Sequence, residues 1–247
     1  MRSKILNFIL RKKPKTKPQF EFLDNYIIEF IGPAGVGKST LYKKILENAN
    51  FNSPTIEELN SIIKKDDIYN ISTSIHNTLL NSKFQNLMQR GYNAYVNAEL
   101  INYFSSVIKK DITIQYTPSQ KGIILEEGLC HNFSKELVSL NNADLQTITH
   151  KRVLIYIRPD DSLTVVKRIR KRQQEGEHTV THHNGKSDDE LKDISKTSIT
   201  SFDNLIEAIA NFQIPYFTVK AEETNNAHLV LQFLKDKKIV TERLNQA

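Results

Sequence analysis

The nine residues Gly32 to Thr40, GPAGVGKST, constrain this chain more than any other stretch. Gly32, Gly37, Lys38 and Ser39 fit the spacing G-x-x-x-x-G-K-[ST]. The flanks fit as well. Tyr26 to Ile31 is a mostly apolar, β-branched run that reads as a buried strand, and Leu41, Ile45, Leu46 and Ala49 then recur at helical spacing. A strand, a glycine loop and a helix in that order wrap a phosphate in backbone N–H donors and aim the positive end of a helix dipole at it. Three of the chain's eight glycines fall here, where close backbone approach requires them. The candidate phosphate site is therefore Gly32, Pro33, Ala34, Gly35, Val36, Gly37, Lys38, Ser39 and Thr40. Lys38 would reach the β- and γ-phosphates of a nucleotide, and the Ser39 hydroxyl would ligate Mg²⁺.

Two further apolar runs, Gly122 to Leu125 and Val153 to Ile157, read as buried strands, and Tyr216 to Val219 as a short one. Helices are expected over Ile56 to Lys110, Ser162 to Gln174, Ile194 to Asn211 and Ala227 to Leu234. Strands alternating with helices, with no hairpin signals between them, predict an α/β fold: a parallel sheet covered on both faces. In such sheets ligands bind at the carboxyl ends of the strands. A guanine-reading N-K-x-D and a switch-type D-x-x-G are both absent, which argues against a GTPase.

The second strand runs into Glu126-Glu127-Gly128. Acids at the end of a buried strand are costly without partners. Beside a phosphate loop, a carboxylate can hold Mg²⁺ or take the proton of an attacking hydroxyl. Glu126 is the first candidate for this role and Glu127 the second. After the third strand, Asp160, Asp161 and Ser162 can cap a basic helix. On it Arg168 and Arg172, four apart, share a face and are candidates to stabilise charge on a transferring phosphoryl group. The polar loop Gly176 to Ser187 that follows can close over a nucleotide. Its His178, His182 and His183 lack the spacing of a metal site. Cys130 reads as a small buried residue.

The net charge of +6 is unevenly placed. Residues 1–19 hold seven Lys and Arg and no acid, so taking +7 from +6 leaves −1 for the other 228 residues. The body is nearly neutral and shows no aromatic–basic platform, which argues against nucleic acid as a partner. The tail pairs a short apolar run with a polybasic one. It is open to two readings: a solvated charge block, or a peripheral contact with an anionic membrane. A single cysteine and the absence of a secretory-type leader point to a reducing, cytoplasmic setting. Residues 20–247 are expected to form one domain.

GPAGVGKST, the acidic strand end ILEEG, and the R-x-x-x-R of Arg168 and Arg172 before a polar loop resemble the P-loop kinases of the thymidylate kinase and deoxynucleoside kinase group. The resemblance implies a three-layer P-loop fold with about five parallel strands, a helical acceptor-binding insertion and an arginine-bearing lid. It implies that Gly32 to Thr40 bind ATP phosphates, that Glu126 assists Mg²⁺ or the acceptor hydroxyl, and that Arg168 and Arg172 belong to the lid. One departure is informative. Glu127 stands where such kinases carry an arginine, and no arginine occurs between Gly91 and Lys151. A phosphate-bearing acceptor is best gripped by arginine. The expected acceptor is therefore a small molecule with a neutral hydroxyl, a nucleoside or sugar-like compound in preference to a nucleoside monophosphate. The alternative is a P-loop ATPase or nucleotide-sensing module recruited to a membrane or protein partner.

Overall fold

The computed structural model describes residues 18–51, 54–62, 73–117, 122–176 and 183–243. The cationic residues of the tail, together with His178 and His182, lie outside them.

Four strands make one parallel sheet: β2 (Ile27–Ile31), β4 (Ile123–Leu125), β5 (Arg152–Arg158) and β6 (Tyr216–Lys220), in the order β4-β2-β5-β6. From β2 the chain goes out to β4 on one side and returns to β5 on the other. The strand order therefore reverses at β2, whose carboxyl end carries the phosphate loop. Among the described residues the parallel sheet has four strands, where the resemblance implied about five. The remaining strands form a separate mixed sheet, β3-β1-β7, of β1 (Gln19–Phe22), β3 (Asn50–Phe51) and β7 (Val240–Arg243). In it β1 is antiparallel to β7 and parallel to β3.

Side-chain alternation along the strands divides the core between two helical layers. Ile28, Phe30, Val153, Ile155 and Ile157 face α1 (Lys38–Asn48) and α10 (Asn226–Asp236), where they meet Leu41, Ile45, Val230 and Leu234. Ile31, Leu154 and Tyr156 face the other layer. It is built from α3 (Ser74–Met88), α4 (Ala94–Tyr116), the short α5 (Leu129–Asn132), α6 (Ser134–Val138), α7 (Asn142–Thr149) and α9 (Asp188–Ala210). The helices α2 (Ile56–Ile62) and α8 (Ser162–Gln174) are the others among the described residues. No helix among the described residues is long and apolar enough to cross a membrane.

That second face of the sheet also carries charge. Glu29 on β2 and Arg152 on β5 are fully buried beneath Asp111 of α4. The Arg152 guanidinium donates to Glu29 Oε1, to Asp111 Oδ1 at 2.5 Å and, through Nε, to the Ile148 carbonyl at 2.8 Å. Asp111 Oδ2 also meets His76 Nε2 at 3.0 Å and accepts from Gln115 at 2.9 Å. Burial alone would push Asp111 up. The charge of Arg152 and the bonds from His76 and Arg152 outweigh it and bring Asp111 below the ordinary carboxylate range.

Helix α9 begins at Asp188, six residues before the expected Ile194. Ser187 and Glu190 form a reciprocal capping box there: the Glu190 N–H donates to Ser187 Oγ, and the Ser187 N–H to Glu190 Oε2. The Lys186 ammonium and the Ser187 N–H hold the Glu190 carboxyl down at about 2. A depressed carboxylate adds stability above the usual carboxylate range and loses it as pH falls toward its folded value. Thermal melts of Glu190→Gln should therefore lie below those of the parent at pH 7 and converge with them near pH 2. A constant offset across that range would refute the assignment.

Candidate nucleotide site

The phosphate loop leaves β2 at Gly32 and enters α1 at Lys38. Gly32, Gly35 and Gly37 all have positive φ, and Gly37, at φ 103°, is the N-cap of α1. A Cβ on Gly32 would stand 2.5 Å from the Ile157 carbonyl, so the loop packs against the end of β5. Lys38, 5% exposed, lies folded over the loop. Its Nζ donates to the carbonyls of Gly32 and Pro33, both at 3.0 Å, and pairs with Glu127 Oε1 at 3.3 Å. Burial pulls the ammonium below its ordinary value, and the Glu127 charge partly offsets this.

The acidic strand end splits its two carboxylates. Glu127 takes the partner role: besides Lys38, its Oε1 meets His131 Nε2, four residues on, at 3.3 Å. Burial, with the charges of Lys38 and Lys83, holds His131 well below the ordinary histidine range, so the imidazole that approaches Glu127 is neutral. The ring stacks on Phe202 of α9, centroids 5.4 Å apart. Glu126 is half-buried, and its charge acts on Lys38 and on Tyr42 of α1, whose phenol is pushed up by burial and then by Glu126. The Glu126 charge thus reaches Lys38, while the ion pair to Lys38 is made by Glu127. The turn itself is held from beneath. The Cys130 N–H donates to Glu29 Oε2 at 2.8 Å, and a Cβ on Gly128 would stand 2.5 Å from Glu29 Cδ. Only glycine lets the turn pack so closely on the buried carboxylate. Cys130 is fully buried, as its sequence suggested, and burial pushes its thiol well up. His183 is buried as well.

Beside the loop opens a cavity of about 360 Å³, walled by Gly35 to Gly37 and Thr40 of the loop and α1, by Arg168 and Arg172 of α8, and by Ala221, Glu223, Thr224 and Asn226 beyond β6. Helix α8 spans the residues expected, capped by Asp161, whose side chain accepts from the Thr164 N–H. Arg168 crosses to the loop. Its Nη1 donates to the Val36 carbonyl at 2.6 Å and its Nη2 to the Ala221 carbonyl at 3.3 Å. Arg172, one turn on, lines the cavity, and its charge acts on Lys38. Of the expected site residues, Gly35 to Gly37, Thr40, Arg168 and Arg172 line this cavity; Glu126 does not, and is linked to the loop by its charge acting on Lys38. In the sequence His131 stands beside Cys130 with no third group to make the pair a nucleophile, and its i+4 spacing from Glu127 is the signal for the contact the structure shows; the wall beyond Ala221 carries no motif.

The donor set suits Mg²⁺. Ser39 at the start of α1 and the carboxylates of Glu126 and Glu127 are hard oxygen ligands, and this ion takes few protein ligands beside phosphate oxygens and water. No group of three or more His, Cys, Asp or Glu side chains placed to hold a metal occurs among the described residues.

A parallel sheet that reverses at β2, with this loop at the reversal and helices on both faces, is the three-layer P-loop architecture. Comparison with known proteins adds two solved structures. A deoxyadenosine kinase from M. mycoides, with the products dCMP and a flexible dCDP bound, is similar at 16% identity and a TM-score of 0.45, over 85% of this chain and 99% of that one. A deoxyadenosine kinase from M. mycoides with bound dATP is similar at 17% identity and a TM-score of 0.38, over 85% of this chain and 100% of that one. No family model matches the chain, and no curated protein matches it.

Proposed function

We propose that the protein is an ATP- and Mg²⁺-dependent kinase that transfers the γ-phosphoryl group to a hydroxyl of a small molecule, a nucleoside or sugar-like compound. The observation that carries this reading is the position of Lys38, between the phosphate loop and the acidic turn, beside the arginine-lined cavity. The loop binds the phosphates of the donor through its N–H groups and Lys38. Arg168 and Arg172 offset the charge that grows on the oxygens of the transferring group. Glu126 accepts the proton of the attacking hydroxyl as the new O–P bond forms and the bond to the departing ADP breaks. Mg²⁺, when bound through Ser39 and Glu126, supplies further charge neutralisation.

The acceptor side supports a hydroxyl compound. Among the described residues of the helical segment expected to bind it, Lys83 is engaged by Glu136 at 2.9 Å and lies over the rings of Phe104 and Phe133. Arg90 stands exposed beyond the end of α3. Lys83, committed to Glu136, offers no free paired donors to a phosphate-bearing acceptor, which leaves Arg90 as the arginine of this segment that could grip one. The test is to incubate the protein with ATP, Mg²⁺ and pooled nucleosides and sugars and to follow gain of one phosphate by mass. The expected result is ATP turnover that rises at least tenfold with one acceptor class. A low basal rate indifferent to every acceptor would instead identify a P-loop ATPase or nucleotide-sensing module. Tight calorimetric binding of a nucleoside monophosphate beside ATP would overturn the choice of acceptor.

A further inference from the structure

We infer that Glu29 is a positioning residue for the proposed reaction: from inside the sheet, its carboxylate sets the acidic turn Glu126 to Gly128 against the phosphate loop. The inference rests on the nucleotide reading above. The need for such a tie comes from the strand ladder. Strands β2 and β4 pair in parallel as far as Glu29 opposite Leu125. The acids begin at the next residue, Glu126, where that pairing has ended. Glu29 carries the tie onward. Its Oε2 accepts from the Cys130 N–H at 2.8 Å, two residues beyond Gly128, while its Oε1 accepts from Arg152 of β5. One fully buried side chain thus joins two parts of the site: the strand that reaches Gly32 three residues later, and the turn that carries the acids.

Gly128 shows how closely the two are fitted. Its φ of −132° and ψ of −152° are extended, outside the left-handed region that favours glycine. Yet a Cβ there would stand 2.5 Å from Glu29 Cδ and 2.7 Å from Oε2. Glycine serves the contact with Glu29, not the backbone angles. The carboxylate cannot draw aside, because Arg152 and the Cys130 N–H hold one oxygen each. Both donors need an acceptor, and a carboxylate supplies two. An amide of the same shape supplies one and turns its NH₂ toward the other donor. Lys38 registers the result. Its Nζ donates to the Gly32 and Pro33 carbonyls at 3.0 Å and meets Glu127 at 3.3 Å, so it spans whatever gap Glu29 sets between loop and turn.

Equilibrium binding of ATP to the full-length protein, in EDTA and in Mg²⁺, tests this beside thermal melts and ATP turnover with pooled nucleosides and sugars. The variants are Glu29→Gln and Gly128→Ala. The second keeps Glu29, Arg152 and Asp111 and displaces the turn. In EDTA both should bind ATP within about twofold of the parent, because the N–H donors of the loop are untouched. The gain in affinity that Mg²⁺ brings should shrink about tenfold or vanish, the scale on which a metal site suffers when its ligands lose their outer partners. Turnover should fall about 10²-fold, the cost of a small misplacement of reacting groups. Where Glu29→Gln melts below the assay temperature, Gly128→Ala decides. A Mg²⁺ gain and turnover unchanged in Gly128→Ala, or a loss in EDTA as large as that in Mg²⁺, overturns the inference alone. Turnover by the unmodified protein that ignores every acceptor overturns the kinase reading and leaves the Mg²⁺ comparison to decide the inference. An unmodified protein that binds no ATP, or gains nothing from Mg²⁺, overturns the nucleotide reading and this inference with it.

Discussion

Lys38→Ala lowers acceptor-dependent ATP turnover by about 10²- to 10³-fold, the scale on which an enzyme loses a single pre-set charge aimed at a reacting group. Lys38 is the cation through which the phosphate loop and the acidic turn meet. Without it the loop keeps its N–H donors, so nucleotide affinity falls less than turnover. The fold should survive. Lys38 is a buried ammonium whose burial works against its charge, and the glycine angles that shape the loop do not depend on it. Glu127 loses one partner but is partly exposed to water and keeps His131. The measurement is steady-state turnover beside a thermal melt. Full activity in Lys38→Ala would sink the kinase and the ATPase readings together.

The largest effect on stability belongs to Arg152. Its guanidinium is fully buried, and so are the Glu29 and Asp111 carboxylates it joins. Burial opposes the charge on Arg152, but Asp111 and Glu29 together push its pKa above the ordinary arginine value. Removing the cation alone leaves two uncompensated carboxylates in the core. Arg152→Met should cost about 3–5 kcal/mol, a fall in melting temperature of roughly 10 °C or more for a chain of this size. Adding Glu29→Gln and Asp111→Asn to that variant should restore part of the loss, because a buried neutral amide is penalised less than an unpaired carboxylate. A melting point for Arg152→Met within a degree or two of the parent would show that the carboxylates do not depend on the guanidinium. Activity should fall in Arg152→Met beyond what the melt explains, since Glu29 also holds the Cys130 N–H and underlies Gly128 of the acidic turn.

The parts of the fold that rest on local chemistry were readable in advance. Helix α8 was placed residue for residue because Asp161 caps it and the apolar positions are regular up to the Glu-Gly end. The strands β2, β4, β5 and β6 announced themselves as short apolar or β-branched runs. Helix α9 was started late although Ser187-x-x-Glu190 carries the capping signature, because its first turn is acidic and offers no apolar period. The β3-β1-β7 sheet was missed for a different reason: strands of two to four residues exist only through partners far along the chain, as in the pairing of Gln19 with Arg243. The site divides the same way. Gly32 to Thr40 form a contiguous motif. The choice between Glu126 and Glu127 as the partner of Lys38, the link from Glu29 to Arg152 across two strands, and the wall that ends at Asn226 are all contacts between distant segments, which spacing along one sequence does not encode.

The small sheet has a practical consequence. Helix α1 begins at the phosphate loop and runs eleven residues, roughly 16 Å, before the chain passes into β3. The strands that receive the incoming and outgoing chain, β1 and β7, pair beside β3 at that far pole. The polypeptide therefore enters and leaves the folded body side by side, on the side turned away from the nucleotide mouth. A tether joined directly at β1 or β7, be it a fusion partner or a sensor chip, leaves the mouth open to the solution.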